Sequence, residues 1–414
     1  MSKHTQYDDA ILDSNAISPV DGKGNPIPVT IPIDLAPGVK IVYTTRLGGL
    51  STGDWSDLNL GGKSGDDPAV VEANRVALAK AVGAPLSLVA QVHSGRAVDV
   101  DEIFKRNAPY GCDFSGTVID SGQHGQRKTA AEDDEIVVQK GIEEIETVDG
   151  AEINETEVRT EIRESESSDE IEDSPINTPN ENRKSQVDNN NESPSETQHD
   201  MNQPASYPRL EADAEVSAQT GVALGMFAAD CLPVLLADPQ AGVIAAAHCG
   251  RKGLQRGVIG SVVDLMVAKG AKPERIVATL GPCVCGDCYE VGEGIADEFD
   301  AQFPGTFTLT RFGGPGIDIA KAALQELAEA GIPRDNVIDS APRVRAATQY
   351  LDQDAELAAL CAQDGEGSPD LSERIGEVRH SLCTLENPLW YSHRRASLAH
   401  KKHEGRLLAL IVRE

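Results

Sequence analysis

Apolar positions recur along this chain in two rhythms. Short β-branched or aliphatic runs have the length and composition of strands: VKIVYTTR (39–46), SLVAQVH (87–93), VALGMFAA (222–229), LPVLLAD (232–238), GVIAAAH (242–248), RIVATLG (275–281) and the terminal LLALIVR (407–413). Between them, DDPAVVEANRVALAKAVG (66–83) carries full helix punctuation. Asp67 is a candidate N-cap, Pro68 suits the first turn, and Gly83 follows the last turn. Asp318 likewise precedes IAKAALQELAEA, which stops at Gly331. The pattern predicts an α/β protein with a sheet core. From Asp339 to Glu377, a stretch that includes DGEGSPDLSE, it fades into what reads as an irregular surface excursion.

The apolar rhythm breaks a second time, over residues 116–209, where Glu, Ser, Asn and Pro dominate and aromatics are nearly missing. Such a segment buries too little apolar surface to offset its ordering entropy. Apolar, Gly-punctuated sequence flanks it on both sides. The expected organisation is an N-terminal extension (1–37), one domain built from 38–115 and 210–414, and a disordered acidic insertion (116–209) within it.

Charge sharpens this. The 414 residues carry a formal charge of −30, and residues 121–200 contain 23 Asp and Glu against 7 Lys and Arg. Acidity on this scale argues against nucleic acid or an anionic membrane surface as partner, because both need clustered Lys and Arg. A small-molecule partner is expected instead. No stretch reads as a signal peptide or a membrane span, so the expected location is the cytoplasm. Eight cysteines in a reducing compartment then suggest buried thiols, metal ligands or nucleophiles.

Two apolar runs, 232–237 and 243–247, flank Asp238, Pro239, Gln240, Ala241 and Gly242, which favour a tight reversal. A hairpin centred on Gln240 brings Cys231 and His248 together at its open end. The pair suits either a metal site or a thiolate with its base. His93 ends a strand-like run before a glycine loop and would complete a Cys-His-His set, with one coordination place left open. A buried thiol beside two hydrogen-bonded histidines fits the same spacing. The C-x-C-x2-C run of Cys283, Cys285 and Cys288 raises a second metal, but no fourth ligand of suitable spacing follows it.

Several motifs occur in a fixed order: TTRLGG with Ser51 and LNLG (44–61), QVH (91–93), ADCLPVLLAD (229–238), AAAHCG (245–250), GPCVCGDCYEVG (281–292), and WYSHRR with Gly405 and Arg406. Together they resemble the family variously called laccase-domain or multicopper polyphenol oxidase-like proteins, zinc-type purine nucleoside phosphorylases and peptidoglycan editing factors. The resemblance implies a layered α/β sandwich with mixed β-sheets, and zinc held by His93, Cys231 and His248. It also implies phosphorolysis of adenosine, inosine and methylthioadenosine, and deamination of adenosine. A thiolate and two neutral imidazoles leave a net positive site able to activate water near neutral pH. Arg46 is the candidate phosphate group, since a guanidinium grips two phosphate oxygens; a structural ion pair is the competing role. Asp230 is a candidate proton shuttle or ligand orienter.

The chain also departs from that family. Where relatives carry Ala-Gly-Trp-Arg-Gly after the second histidine, it has Cys249, Gly250, Arg251, Lys252 and Gly253, so Arg251 and Lys252 are the candidate substitutes in phosphate or substrate binding. Leu47 stands where relatives often carry His. Other function classes remain: a copper-dependent polyphenol oxidase, which would need several coppers and more ligands than three in a chain of nine histidines; a cysteine hydrolase or peptidoglycan-precursor editing enzyme using Cys231 and His248; and a scaffold working through its acidic segment.

Overall fold

Strands that are apolar at every position need cover on both faces. A computed structural model of the chain, describing residues 20–119, 205–206 and 208–414, shows how they get it. In chain order the first elements are β1 (Thr30–Ala36), β2 (Val39–Thr44), α1 (Pro68–Val82), β3 (Leu86–Val89), β4 (Ala97–Asp99), β5 (Gly111–Phe114), β6 (Val118–Ile119) and β7 (Ala205–Ser206). There follow β8 (Ala214–Ser217), β9 (Ala223–Ala228), β10 (Leu232–Asp238), β11 (Val243–Cys249), α2 (Arg251–Gln255), α3 (Val258–Ala268) and β12 (Val277–Leu280). The remainder comprises α4 (Glu293–Gln302), β13 (Phe307–Leu309), β14 (Pro315–Ile317), α5 (Ile319–Glu329), β15 (Val337–Ile338), α6 (Ala341–Tyr350), α7 (Ala355–Asp364), α8 (Leu371–Glu377), α9 (His393–Leu398) and β16 (Leu407–Arg413).

Two six-stranded mixed sheets form, ordered β1-β2-β16-β9-β3-β5 and β15-β12-β10-β11-β8-β4. Strand alternation decides the layers. Ile41, Met226 and Ile411 of the first sheet meet Leu235, Ile244 and Ala246 of the second in one core. Their chain neighbours face outward: Leu88 and Leu410 pack with Leu78 of α1, and Val234 and Ala245 pack with Val262 of α3 and Ala323 of α5. The fold is thus the expected layered α/β sandwich with mixed β-sheets. Both expected helix starts form: the Asp67 side chain accepts from Ala69 N and that of Asp318 from Lys321 N.

Two boundaries differ from expectation. The sheet starts before residue 38, because β1 pairs antiparallel with β2 and buries Ile31 and Leu35 in the inter-sheet core. Residues 339–377 are largely helical rather than an irregular excursion. Asp354 and Asp370 cap α7 and α8, and Val344, Leu357, Leu360 and Leu371 reach the same core. Polar, glycine-rich connections between these short helices hid their apolar faces from the sequence pattern. Residues 1–19 of the expected extension and 120–204 and 207 of the expected insertion lie outside the described residues. No described helix is long and apolar enough to cross a membrane.

Candidate functional site

The hairpin forms with Leu232 opposite Cys249 and Pro233 opposite His248, a register slightly different from one centred on Gln240. The Asp238 carboxylate accepts from Gln240 N and Ala241 N to close the reversal. Cys231 lies one residue before β10, so it still meets His248 at the open end. His93 stands on the loop after β3, with a left-handed φ of 56°. The ligand atoms of His93, Cys231 and His248 all lie within 4.8 Å of one another. Cys231 Sγ is 3.9 Å from His93 Nε2, and the two imidazoles meet edge to face with centroids 5.2 Å apart.

Each of the three donors is held by the fold. Asp213, fully buried, takes the His93 loop in hand: its carboxylate accepts from Val92 N, His93 N, and Ser94 N and Oγ. Its carbonyl accepts from His248 N at 2.7 Å, so one residue fixes two ligand-bearing segments. Cys231 is set by Asp230, whose left-handed φ of 96° is anchored on three sides. Thr384 Oγ1 and Arg394 N donate to its two carboxylate oxygens, and Val284 N donates to its carbonyl. A Cβ on Gly250 would come 2.8 Å from Cys231 Sγ, so only glycine leaves the sulfur its place.

Around His248, Nδ1 lies 3.1 Å from the Phe227 carbonyl and 2.5 Å from the Gln91 side-chain nitrogen. If Nδ1 accepted from Gln91, Nε2 would carry a buried N–H with no acceptor, at a cost of about 1–3 kcal/mol. Donation to the Phe227 carbonyl avoids this and leaves Nε2 with its lone pair, buried and without a hydrogen-bond partner among the described residues. That orphaned nitrogen, facing a thiol and a second imidazole, fits a bound metal cation. For the two histidines, protonation points the same way. Burial holds the His248 imidazole down to about 4. Partial desolvation lowers His93, against the pull of Asp213 and helped by the charges of Lys252, Arg256 and Arg406, although the residue as a whole is exposed. Burial, reinforced by the Asp230 charge, pushes the Cys231 thiol up to about 12.

Arg46 is buried and grips Asp364 through both terminal nitrogens, at 2.7 and 2.9 Å. Burial alone would raise the Asp364 carboxyl, but Arg46, Arg395 and Arg374 hold it well below the usual carboxylate range. The geometry is that of the structural ion pair. Arg251 Nη1 donates to Gln255 on its own helix, and exposed Lys252 sits close enough to lower the His93 imidazole. Arg406 also bears on His93, Cys231 and His248 while pairing with Glu404. Sequence reasoning assigned no role to Asp213, Gln91, Gly250 or Arg406. Gln91 and Arg406 lie inside quoted motifs, whereas nothing in the spacing marks Asp213.

Comparison with known proteins shows the family. The model of the multi-copper polyphenol oxidoreductase laccase family matches residues 40–124 and 154–364. A purine nucleoside phosphorylase of Streptomyces coelicolor is 30% identical over 72% of this chain and 84% of its own length. Another from Streptomyces griseus is 50% identical over 29% of this chain and 49% of its own length. An adenosine deaminase of an unknown prokaryote is 36% identical over 31% of this chain and 50% of its own. Among solved structures, YlmD of Geobacillus stearothermophilus shares the fold at a TM-score of 0.54, with 19% identity over 92% of this chain and 94% of that one. With motifs, fold and three convergent donors in agreement, the chain belongs to the multi-copper polyphenol oxidoreductase laccase family.

Proposed function

We propose that this chain converts purine nucleosides at a zinc ion held by His93, Cys231 and His248. Its reactions would be phosphorolysis of adenosine, inosine and methylthioadenosine, and deamination of adenosine. The observation that carries this reading is the buried, unpartnered Nε2 of His248 facing Cys231 and His93, in a chain whose relatives are named for these two activities. One thiolate and two neutral imidazoles suit zinc, which when bound would supply the Lewis acidity to activate a water near neutral pH.

The chain's own groups do the rest. The Phe227 carbonyl holds the proton of His248 Nδ1, so the donor nitrogen is always presented. Both carboxylate oxygens of Asp230 are engaged, which favours a positioning role for it over proton transfer. Lys252, Arg256 and Arg406 surround His93 with positive charge and are the groups on which phosphate would settle, with Arg251 beside them. The ring of Tyr289, near enough to Cys231 and Arg251 for their charges to bear on its hydroxyl, carries the Arg394 guanidinium over one face, 4.5 Å from its centroid. A cysteine hydrolase working through a thiolate–imidazolium pair is disfavoured, because burial holds the His248 imidazole neutral.

Protein of measured metal content, incubated with inosine and with adenosine in the presence and absence of phosphate, tests this. Ribose 1-phosphate should appear from inosine only with phosphate, and turnover should vanish in Cys231→Ala. Unchanged turnover in that variant refutes the metal assignment. Failure of the zinc-loaded wild type on both nucleosides refutes the substrate class.

A further inference from the structure

The fourth ligand that sequence spacing could not supply for the Cys283–Cys288 run is present in space. The ligand atoms of Cys285, Cys288, Cys383 and Glu386 lie within 4.8 Å of one another, apart from the His93 centre and drawn from two distant segments. We propose that these four side chains bind a second, structural metal ion of the thiolate-preferring class, zinc foremost.

The local geometry is built for it. Cys285 and Cys288 sit on one tight turn, in which Cys288 N and Tyr289 N both donate to the Cys285 carbonyl. A C-x2-C turn of this kind presents two sulfurs to one point. Cys383 arrives by a parallel bridge between Cys283 and Cys383, with Cys283 N donating to Leu382 O and Thr384 N to Cys283 O. Glu386 follows three residues later, with Asn387 N donating to the Cys383 carbonyl across the turn. Its Oε2 accepts from Arg379 N and His380 N, which leaves Oε1 3.8 Å from Cys285 Sγ, 3.5 Å from Cys288 Sγ and 3.4 Å from His380 Nδ1. Ligands on a tetrahedral zinc, at about 2.3 Å for sulfur and 2.0–2.2 Å for oxygen, stand roughly 3.6 Å apart. The two sulfur-to-oxygen separations already have that size.

Burial argues for a cation as well. Cys288, Cys383 and Glu386 are buried and Cys285 is half-buried, so three soft donors and a carboxylate converge with little water to share them. Four protein donors make a closed site, which is structural rather than catalytic. What it would brace is specific. Val284 N and Thr384 Oγ1, one from each joined segment, both hold Asp230, the residue before Cys231. The second ion therefore tethers the support of a ligand in the first centre.

Elemental analysis of the purified full chain tests this, with a readout independent of activity. Wild type should carry two zinc ions, Cys231→Ala one, and Cys288→Ser and Glu386→Gln one each. Cobalt-loaded Cys231→Ala should show sulfur-to-cobalt charge-transfer absorption that disappears in Cys231→Ala/Cys288→Ser. Thiol labelling of native wild type covers the case of a variant that fails to fold: Cys285 should resist a maleimide until a strong chelator is added. A metal count unchanged by Cys288→Ser, a Cys231→Ala protein without metal, prompt labelling of Cys285 without chelator, or a disulfide among these cysteines in the native protein each overturns the proposal.

Discussion

The Asp213 carboxylate accepts the backbone N–H of His93 at 3.0 Å, and its grip on Val92 and Ser94 makes the His93 loop a cap wrapped around one buried anion. Because the Asp213 carbonyl also receives His248 N, two ligands share a support that touches neither imidazole. Asp213→Asn, which keeps the shape but loses one acceptor, should weaken metal binding roughly ten- to hundred-fold. Competition against a chromophoric chelator measures this, and an unchanged affinity would leave Asp213 without the role.

Gly250 tests the space around the sulfur. Its φ of −71° suits alanine, so Gly250→Ala adds only a methyl group 2.8 Å from Cys231 Sγ. Crowding of that kind costs about 1–3 kcal/mol. Metal affinity should fall roughly ten- to hundred-fold while the denaturation midpoint of the metal-free protein moves little.

Two arginines should separate cleanly. Arg46→Ala leaves Asp364 short of a bidentate partner in a buried cluster and should cost about 3 kcal/mol of stability, seen as a lower urea midpoint, with no change in KM for phosphate. Arg406→Ala should do the reverse, raising that KM roughly tenfold through a lost cation beside His93. Equal effects on phosphate KM would return Arg46 to the site.

How much of this could be read from the sequence follows from where each restraint lies. Residues 232–237 of β10 and 243–247 of β11 are apolar throughout because both faces are covered, so hairpin and sheet core were legible, and Cys231 and His248 with them. Helices α6 to α8 were not: each is short, and its apolar face is defined by the core it meets. Asp213 escaped because its value comes from three backbone amides that only the fold assembles. Cys383 and Glu386 escaped because a bridge between residues 283 and 383 brings them to Cys285 and Cys288.

Glu215 predicts a pH dependence of stability. Burial raises its carboxyl to about 8, against the hydrogen bond from Ser87 and with the Asp113 charge adding to the rise. The folded chain therefore holds a proton that the unfolded chain gives up near 4.5, the ordinary value of a glutamate. The folded state binds more protons in this window, so the stability that Glu215 contributes is fully present below about pH 4.5, is lost as pH rises toward about 8 and changes little above it. Glu215→Gln should make the decline shallower, leaving the parts due to Glu326 and Glu356, and raise the urea midpoint at about pH 9 relative to wild type. A midpoint lower than wild type at that pH would contradict the buried, protonated carboxyl.

Anomalous scattering at the zinc edge from crystals of the full chain tests the shared metal at His93, Cys231 and His248 most directly. The expected map has a peak about 2.3 Å from Cys231 Sγ and about 2.0–2.1 Å from the Nε2 atoms of His93 and His248, with one coordination place open to solvent. Zinc-supplied crystals that show no peak among these three atoms would contradict it.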